Sequence, residues 1–162
     1  AVWGNHGPTI VHWQESPLAS PVNLRLGDVM PLLTSATGRC FAAHLSPGHS
    51  LDRIGPMVQD ELRRLQAVPH AQCRPDLPTT MAQVEALFAD VRQRGMARVV
   101  DTLLPGIVGF CAPVFDSDRR MVMGIVSLGS AATFDAEWGG TVETPLRAMA
   151  RQLSSDLGYT PP

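Results

Sequence analysis

Ile107-Val108-Gly109-Phe110-Cys111-Ala112-Pro113-Val114-Phe115-Asp116-Ser117-Asp118-Arg119-Arg120-Met121-Val122-Met123-Gly124-Ile125-Val126-Ser127-Leu128 is the stretch that decides the fold. Two apolar runs, 107–115 and 121–128, flank Asp116 to Arg120, five polar residues with turn chemistry. Such runs around a short polar turn read as the two strands of a hairpin. Strands joined by a tight turn pair antiparallel, so helices elsewhere in the chain must pack against an antiparallel sheet.

Outward from the hairpin, Arg98 to Thr102 reads as a shorter strand before it. After it comes a helix with Leu146, Met149, Ala150, Leu153 and Leu157 on one side, Pro145 in its first turn and Gly158 as its stop. Upstream, Thr80-Met81-Ala82-Gln83 fits a capping box, and Met81, Val84, Leu87, Phe88 and Val91 form an amphipathic stripe ending before Gly95. Residues 67–79 hold three prolines and read as a loop. A helix within 50–66 carries Met57, Val58, Leu62 and Leu65 on one face, with a break or late start expected at Pro56. Near the start, Val2-Trp3-Gly4 and Thr9 to Trp13 read as a hairpin around Asn5-His6-Gly7-Pro8. A loop follows at 16–21, and Val22-Asn23-Leu24-Arg25-Leu26 alternates like a half-buried strand. The order of strands, helices, strands and helix is that of an α+β domain, one domain over residues 1–162.

The chemistry centres on Pro31-Leu32-Leu33-Thr34-Ser35-Ala36-Thr37-Gly38-Arg39-Cys40-Phe41-Ala42-Ala43-His44-Leu45. An apolar approach runs into N-cap residue types and then into a helix that opens on small side chains. A helix N-terminus presents unpaired N–H groups and about half a positive charge, which suits a carboxylate or phosphate. The same small residues equally serve a helix packed tightly on a sheet, and both readings stand at this level.

Composition narrows the function classes. All thirteen basic residues are arginine, so a P-loop lysine and Schiff-base chemistry are excluded. A net charge of −2 argues against a nucleic-acid binder, which shows a basic stripe. No run reaches the ~18 apolar residues of a membrane span, and no signal-peptide pattern opens the chain. Three widely spaced cysteines, Cys40, Cys73 and Cys111, make no disulfide framework and fit a reducing cytoplasm. The chain opens on Ala, which points to processing or an excised piece.

The Pro31–Leu45 stretch, with Val2-Trp3-Gly4-Asn5-His6-Gly7-Pro8-Thr9 before it and Cys111-Ala112-Pro113-Val114-Phe115-Asp116 after it, resembles the effector-binding domain of IclR-type bacterial transcription regulators. The resemblance covers nearly the whole chain and implies a GAF-like or profilin-like sheet with helices packed on it. It implies a sensor for a small organic acid, aromatic acids included, that works as a dimer or tetramer. DNA would be contacted only through an N-terminal winged helix-turn-helix, which has no counterpart in these residues. The acid would take backbone N–H groups at Ser35, Ala36 and Thr37 and the Thr37 hydroxyl. Ala19, Val22, Met30, Asp101, Gly109, Val126, Ser127 and Leu128 match positions around the family's cavity. Where the family often carries small polar residues on either side of Ser127, this sequence has Val126 and Leu128, which makes a more apolar wall. No cofactor, metal or catalytic residue is implied.

Other readings compete. His70-Ala-Gln-Cys73 has a zinc-like spacing, and His44 and His49 lie near each other, but zinc needs three or four converging ligands. Cys40 or Cys111 as nucleophile would make a small hydrolase or isomerase, whereas a core role suits both thiols. A GAF-like module binding a nucleotide is the third reading. Turnover of a ligand distinguishes the enzyme, and recovery of the ligand unchanged distinguishes the sensor.

Overall fold

The structure, a computed structural model, describes residues 1–15, 22–45, 51–68 and 76–161, without the side chains of 51–53. In order the elements are β1 (Val2–Gly4), β2 (Gly7–Thr9), α1 (Ala36–His44), α2 (Leu51–Ala67), α3 (Met81–Arg94), β3 (Ala97–Val100), β4 (Ile107–Phe115), β5 (Met121–Ser130) and α4 (Glu143–Asp156). The α+β architecture is the one expected. β4 pairs antiparallel with β5, in the register Gly109 opposite Leu128, Cys111 opposite Val126 and Val114 opposite Met123, with a shift at Phe115. β3 pairs with the other edge of β4, Val99 opposite Gly109 and Ala97 opposite Cys111. As the middle strand, β4 is buried on both faces. Cys111 looks toward α1 and α3, packing with Cys40, Phe41 and Val91. Phe110, Ala112 and Val114 look the other way, toward Leu146 and Ala150 of α4.

Several local expectations change. Val22–Leu26 alternates in burial, Val22 and Leu24 in and Asn23 and Arg25 out, yet is not a strand. Its backbone folds instead into a turn in which the Asp28 carboxylate accepts the Arg25 N–H (2.8 Å). The strand after the first turn stops at Thr9. Beyond it Ile10 bonds to Asp28 O (3.0 Å), and the Met30 N–H reaches Pro8 O (2.7 Å). α2 runs straight through Pro56. Gly55 before it has no Cβ to meet the proline ring, and Ile54, Val58 and Leu62 hold the helix to the core on both sides of the gap. On α3 the capping box forms as read, Gly95 stops the helix at φ 68°, and Met81 falls outside the buried stripe.

α4 turns a different face inward. Leu146 and Ala150 are buried, but with Glu143 and Ser154 rather than with Met149, Leu153 and Leu157, which are exposed. The inward polar groups have partners. Ser154 Oγ accepts the Phe115 N–H (3.0 Å) and donates to Ala150 O (2.8 Å), and the Glu143 carboxylate takes the Gly139 N–H and pairs with Arg147.

One packed group makes the fold sensitive to acid. His44, at the end of α1, sits edge-on to Phe115 (5.4 Å between ring centroids), and its Nε2 has no hydrogen-bond partner among the described residues. Burial, and then the charge of Arg92, lower its pKa from 6.5 to about 4. Between those values the unfolded chain takes up a proton that the folded one refuses. This contribution to stability, roughly 3 kcal/mol, is therefore fully present above pH 6.5 and is lost as pH falls toward 4. Urea melts at pH 7.5 and 4.5 should show a smaller loss for His44→Leu than for the parent, and equal losses would remove His44 from the account.

Candidate functional site

The start of α1 is held from three sides. Ser35 caps it, accepting the Gly38 N–H (2.8 Å) and donating to Pro31 O (2.7 Å). Glu61 of α2 accepts the N–H groups of Leu32 (2.7 Å) and Leu33 (2.9 Å). Burial raises the pKa of that carboxyl, against the opposing effect of the N–H groups of Leu33, Leu32 and Thr34. Arg39, itself buried, donates to Leu33 O (2.7 Å) and Asp76 O (2.8 Å). Neither Glu61 nor Arg39 was legible as a site-building residue, because each reads in sequence as one more charge on a helix.

Gly38 serves the protein itself. A Cβ there would lie 1.9 Å from Pro31 O and 2.6 Å from Leu32 Cα, so its bare backbone lets the 31–32 segment cross the helix. The tight-packing reading is right for this residue. It does not account for Ala36 and Thr37. Among the described residues their two N–H groups and the Thr37 hydroxyl make no hydrogen bond, and both residues line a cavity against the sheet.

That cavity has a volume of about 30 Å³. Ser35, Ala36 and Thr37 form one end of it, and Val22, Met30, Gly109, Val126 and Leu128 contribute to the walls, as the resemblance implied. The register explains the sheet wall, since Val99, Gly109 and Leu128 lie in one cross-strand row and Val126 shares their face. Gly109 leaves space in that row, where a Cβ would come only to ordinary contact with Val99 and Leu128. Leu24, Val99, Leu103, Leu104 and Ile107 complete the lining. All five read from sequence as unremarkable apolar positions; only Val99 and Ile107, in strands next to named residues, carried a usable signal. Ser35 contributes no free hydroxyl, its Oγ being engaged in the cap.

Two named residues are not on this wall, and a third cannot be placed against it. Ser127 lies opposite Phe110, on the face toward α4, because strand alternation turns it away from Val126 and Leu128. Asp101 sits in an exposed turn with φ 56°, which directs its carboxylate to the Gly106 N–H (2.6 Å) rather than into the cavity. Ala19 lies outside the described residues, as do His49, His70 and Cys73. Among the described residues no three His, Cys, Asp or Glu side chains converge as a metal site. Cys40 and Cys111 are fully buried in one cluster, and burial, then the neighbouring Cys111, pushes the Cys40 thiol well above its ordinary range. A thiol so placed is a packing group, not a nucleophile. A wider hollow of about 320 Å³ lies between Met30 and α2, but its carboxylates are already engaged, Glu61 by backbone N–H groups and Asp60 by Arg63 and Arg64.

Comparison with known proteins places this geometry. The family described as bacterial transcriptional regulator IclR C-terminal matches residues 4–155. The glycerol operon regulatory protein of Streptomyces coelicolor is 29% identical over 155 residues, which is 94% of this chain and 56% of that protein. Among solved structures, Pseudomonas aeruginosa HmgR aligns with a TM-score of 0.81 at 32% identity, over 99% of this chain and 59% of that one. Thermotoga maritima IclR aligns at 0.67 with 23% identity, over 90% of this chain and 55% of that one, a likeness of fold alone. The chain spans a little over half the length of these relatives. The family is one of transcriptional regulators, not enzymes.

Proposed function

The chain belongs to the IclR C-terminal family of bacterial transcriptional regulators, and from that premise we propose that it senses a small organic acid, aromatic acids included, bound in the cavity at the start of α1. The observation that carries this reading is the set of unpaired donors, the N–H groups of Ala36 and Thr37 and the Thr37 hydroxyl, opening into an otherwise apolar space. None of the described residues lining the cavity is arginine, and the helix N-terminus supplies the donors for the acid group. The apolar walls then select for the rest of the molecule. Residues 1–162 act as one effector-binding unit, self-associated as a dimer or tetramer in the cytoplasm. The exposed Met149, Leu153 and Leu157 supply apolar surface for that association. DNA is contacted only through a separate domain, and the acid regulates by favouring one arrangement of the whole protein over another. No helix among the described residues is long and apolar enough to cross a membrane.

Native mass spectrometry of the purified chain tests both claims, reading the oligomer and any retained acid by mass. Calorimetric titration with benzoate and its ring-substituted relatives then compares the parent with Thr37→Val. That variant keeps the shape and removes one hydroxyl, so binding should weaken by about 1 kcal/mol, roughly fivefold. Absence of any retained or titratable carboxylic acid would count against the sensor, and unchanged affinity in Thr37→Val would move the acid group away from the helix.

A further inference from the structure

Between β3 and β4 the chain makes a six-residue excursion, Asp101 to Gly106, whose neck is pinned. The Asp101 N–H donates to Ile107 O (2.9 Å), the Asp101 carboxylate accepts the Gly106 N–H (2.6 Å), and the Ala131 N–H donates to Gly106 O (2.8 Å). Asp101 and Gly106 both lie in the left-handed region, at φ 56° and 74°. Thr102, the next residue in, donates to Val100 O (3.0 Å) and to Asp76 Oδ2 (2.8 Å). The tip is tied by less: among the described residues its backbone bond is from the Ile107 N–H to Leu104 O (3.2 Å). Leu103 and Leu104 nevertheless line the cavity, while Leu104 is also 37% exposed. Leu103 and Leu104 thus form a thin flap with a fixed neck along one side of the cavity.

The size of the cavity makes that flap matter. About 30 Å³ holds one or two water molecules and no carboxylic acid of several carbons. Among the described residues, the walls must move apart to seat such an acid. The α1 wall is fixed by the Ser35 cap, the close crossing at Gly38 and the Glu61 carboxylate. The β4 and β5 wall is tied along the whole ladder, and Met30 is tied to Pro8. We propose that Leu103-Leu104-Pro105 is the gate of this cavity, swinging on Asp101 and Gly106, and that Leu103 and Leu104 set the largest acid admitted. This deepens the sensing reading and rests on it for the identity of what enters.

Two measurements on Leu103→Ala and Leu104→Ala test the gate, one with a ligand and one without. Neither side chain is fully buried, so both variants should melt close to the parent. The first measurement is stopped-flow binding of acetate, benzoate and 2-naphthoate. Association should quicken about tenfold in each variant, and the size limit should move up by at least one member of the series. The second is hydrogen exchange at the Ala36 and Thr37 amides, which face the cavity. Exchange should speed about tenfold, with Phe110 and Ala112 of β4 unchanged. Benzoate binding at parental rate and size limit overturns the gate and leaves the sensor standing. If no carboxylate binds any form, the sensor fails, and the exchange measurement still decides the gate. Exchange unaltered in both variants, or accelerated by Val22→Ala instead, places the opening elsewhere in the wall and overturns the proposal.

Discussion

Gly38→Ala should not give a cooperatively folded protein. The added methyl would meet Pro31 O at 1.9 Å and Leu32 Cα at 2.6 Å, both backbone atoms with no rotamer to change. The crossing segment cannot retreat cheaply. Leu32 and Leu33 are almost wholly buried, their N–H groups end on Glu61, and Pro31 O accepts from Ser35. Overpacking costs about 1–3 kcal/mol or more, losing the Ser35 cap about 1, and each bond to the carboxylate about 1.5–3. The gain in helix propensity, about 1 kcal/mol, does not offset that sum, which takes most of an ordinary domain stability of roughly 5–15 kcal/mol. A thermal melt of Gly38→Ala within a few degrees of the parent would show that the segment yields, and the close crossing would lose its structural role.

The same glycine shows where sequence reasoning succeeds and where it stops. A helix starting at Ala36 was legible from Ser35 and the small residues after it, and so was the hairpin, whose apolar runs and polar turn are local signals. The capping box at Thr80 and the stop at Gly95 were legible for the same reason. What was lost lies in partners distant along the chain. Ser154 faces inward because Phe115, thirty-nine residues away, presents an N–H to it, and that rotates Met149 outward against the apolar count. Val22 and Leu24 alternate with polar neighbours as a strand does, yet the alternation records only which side faces the cavity. Thr37 was named from the helix start, and Val126 and Leu128 from the resemblance, which put the family's cavity on either side of Ser127; all three line the cavity. Leu103 and Leu104 belong to a loop, where no period exists to say which way a leucine points. Asp101 was matched by position, and only the left-handed turn reveals that its carboxylate holds the loop neck.

Ala36→Glu should fold and lose its acid. Ala36 is the first residue of α1, where a carboxylate complements the helix end, and its side chain borders the cavity. The introduced carboxylate takes the N–H groups that the ligand would use and repels the ligand's own charge. Charge-assisted hydrogen bonds are worth roughly 1.5–3 kcal/mol each, so forfeiting two weakens binding by about two to four orders of magnitude. Ala36 is also 4% exposed and packs with Cys40 and Val99, so the melt must be recorded first. Helix-end donors are what keep the new charge from being buried without partners, and they are the reason the fold survives. An unfolded Ala36→Glu chain would mean that those donors cannot reach it, leaving Thr37→Val to carry the comparison. A folded one that takes up benzoate as tightly as the parent would show that the acid group lies away from the start of α1.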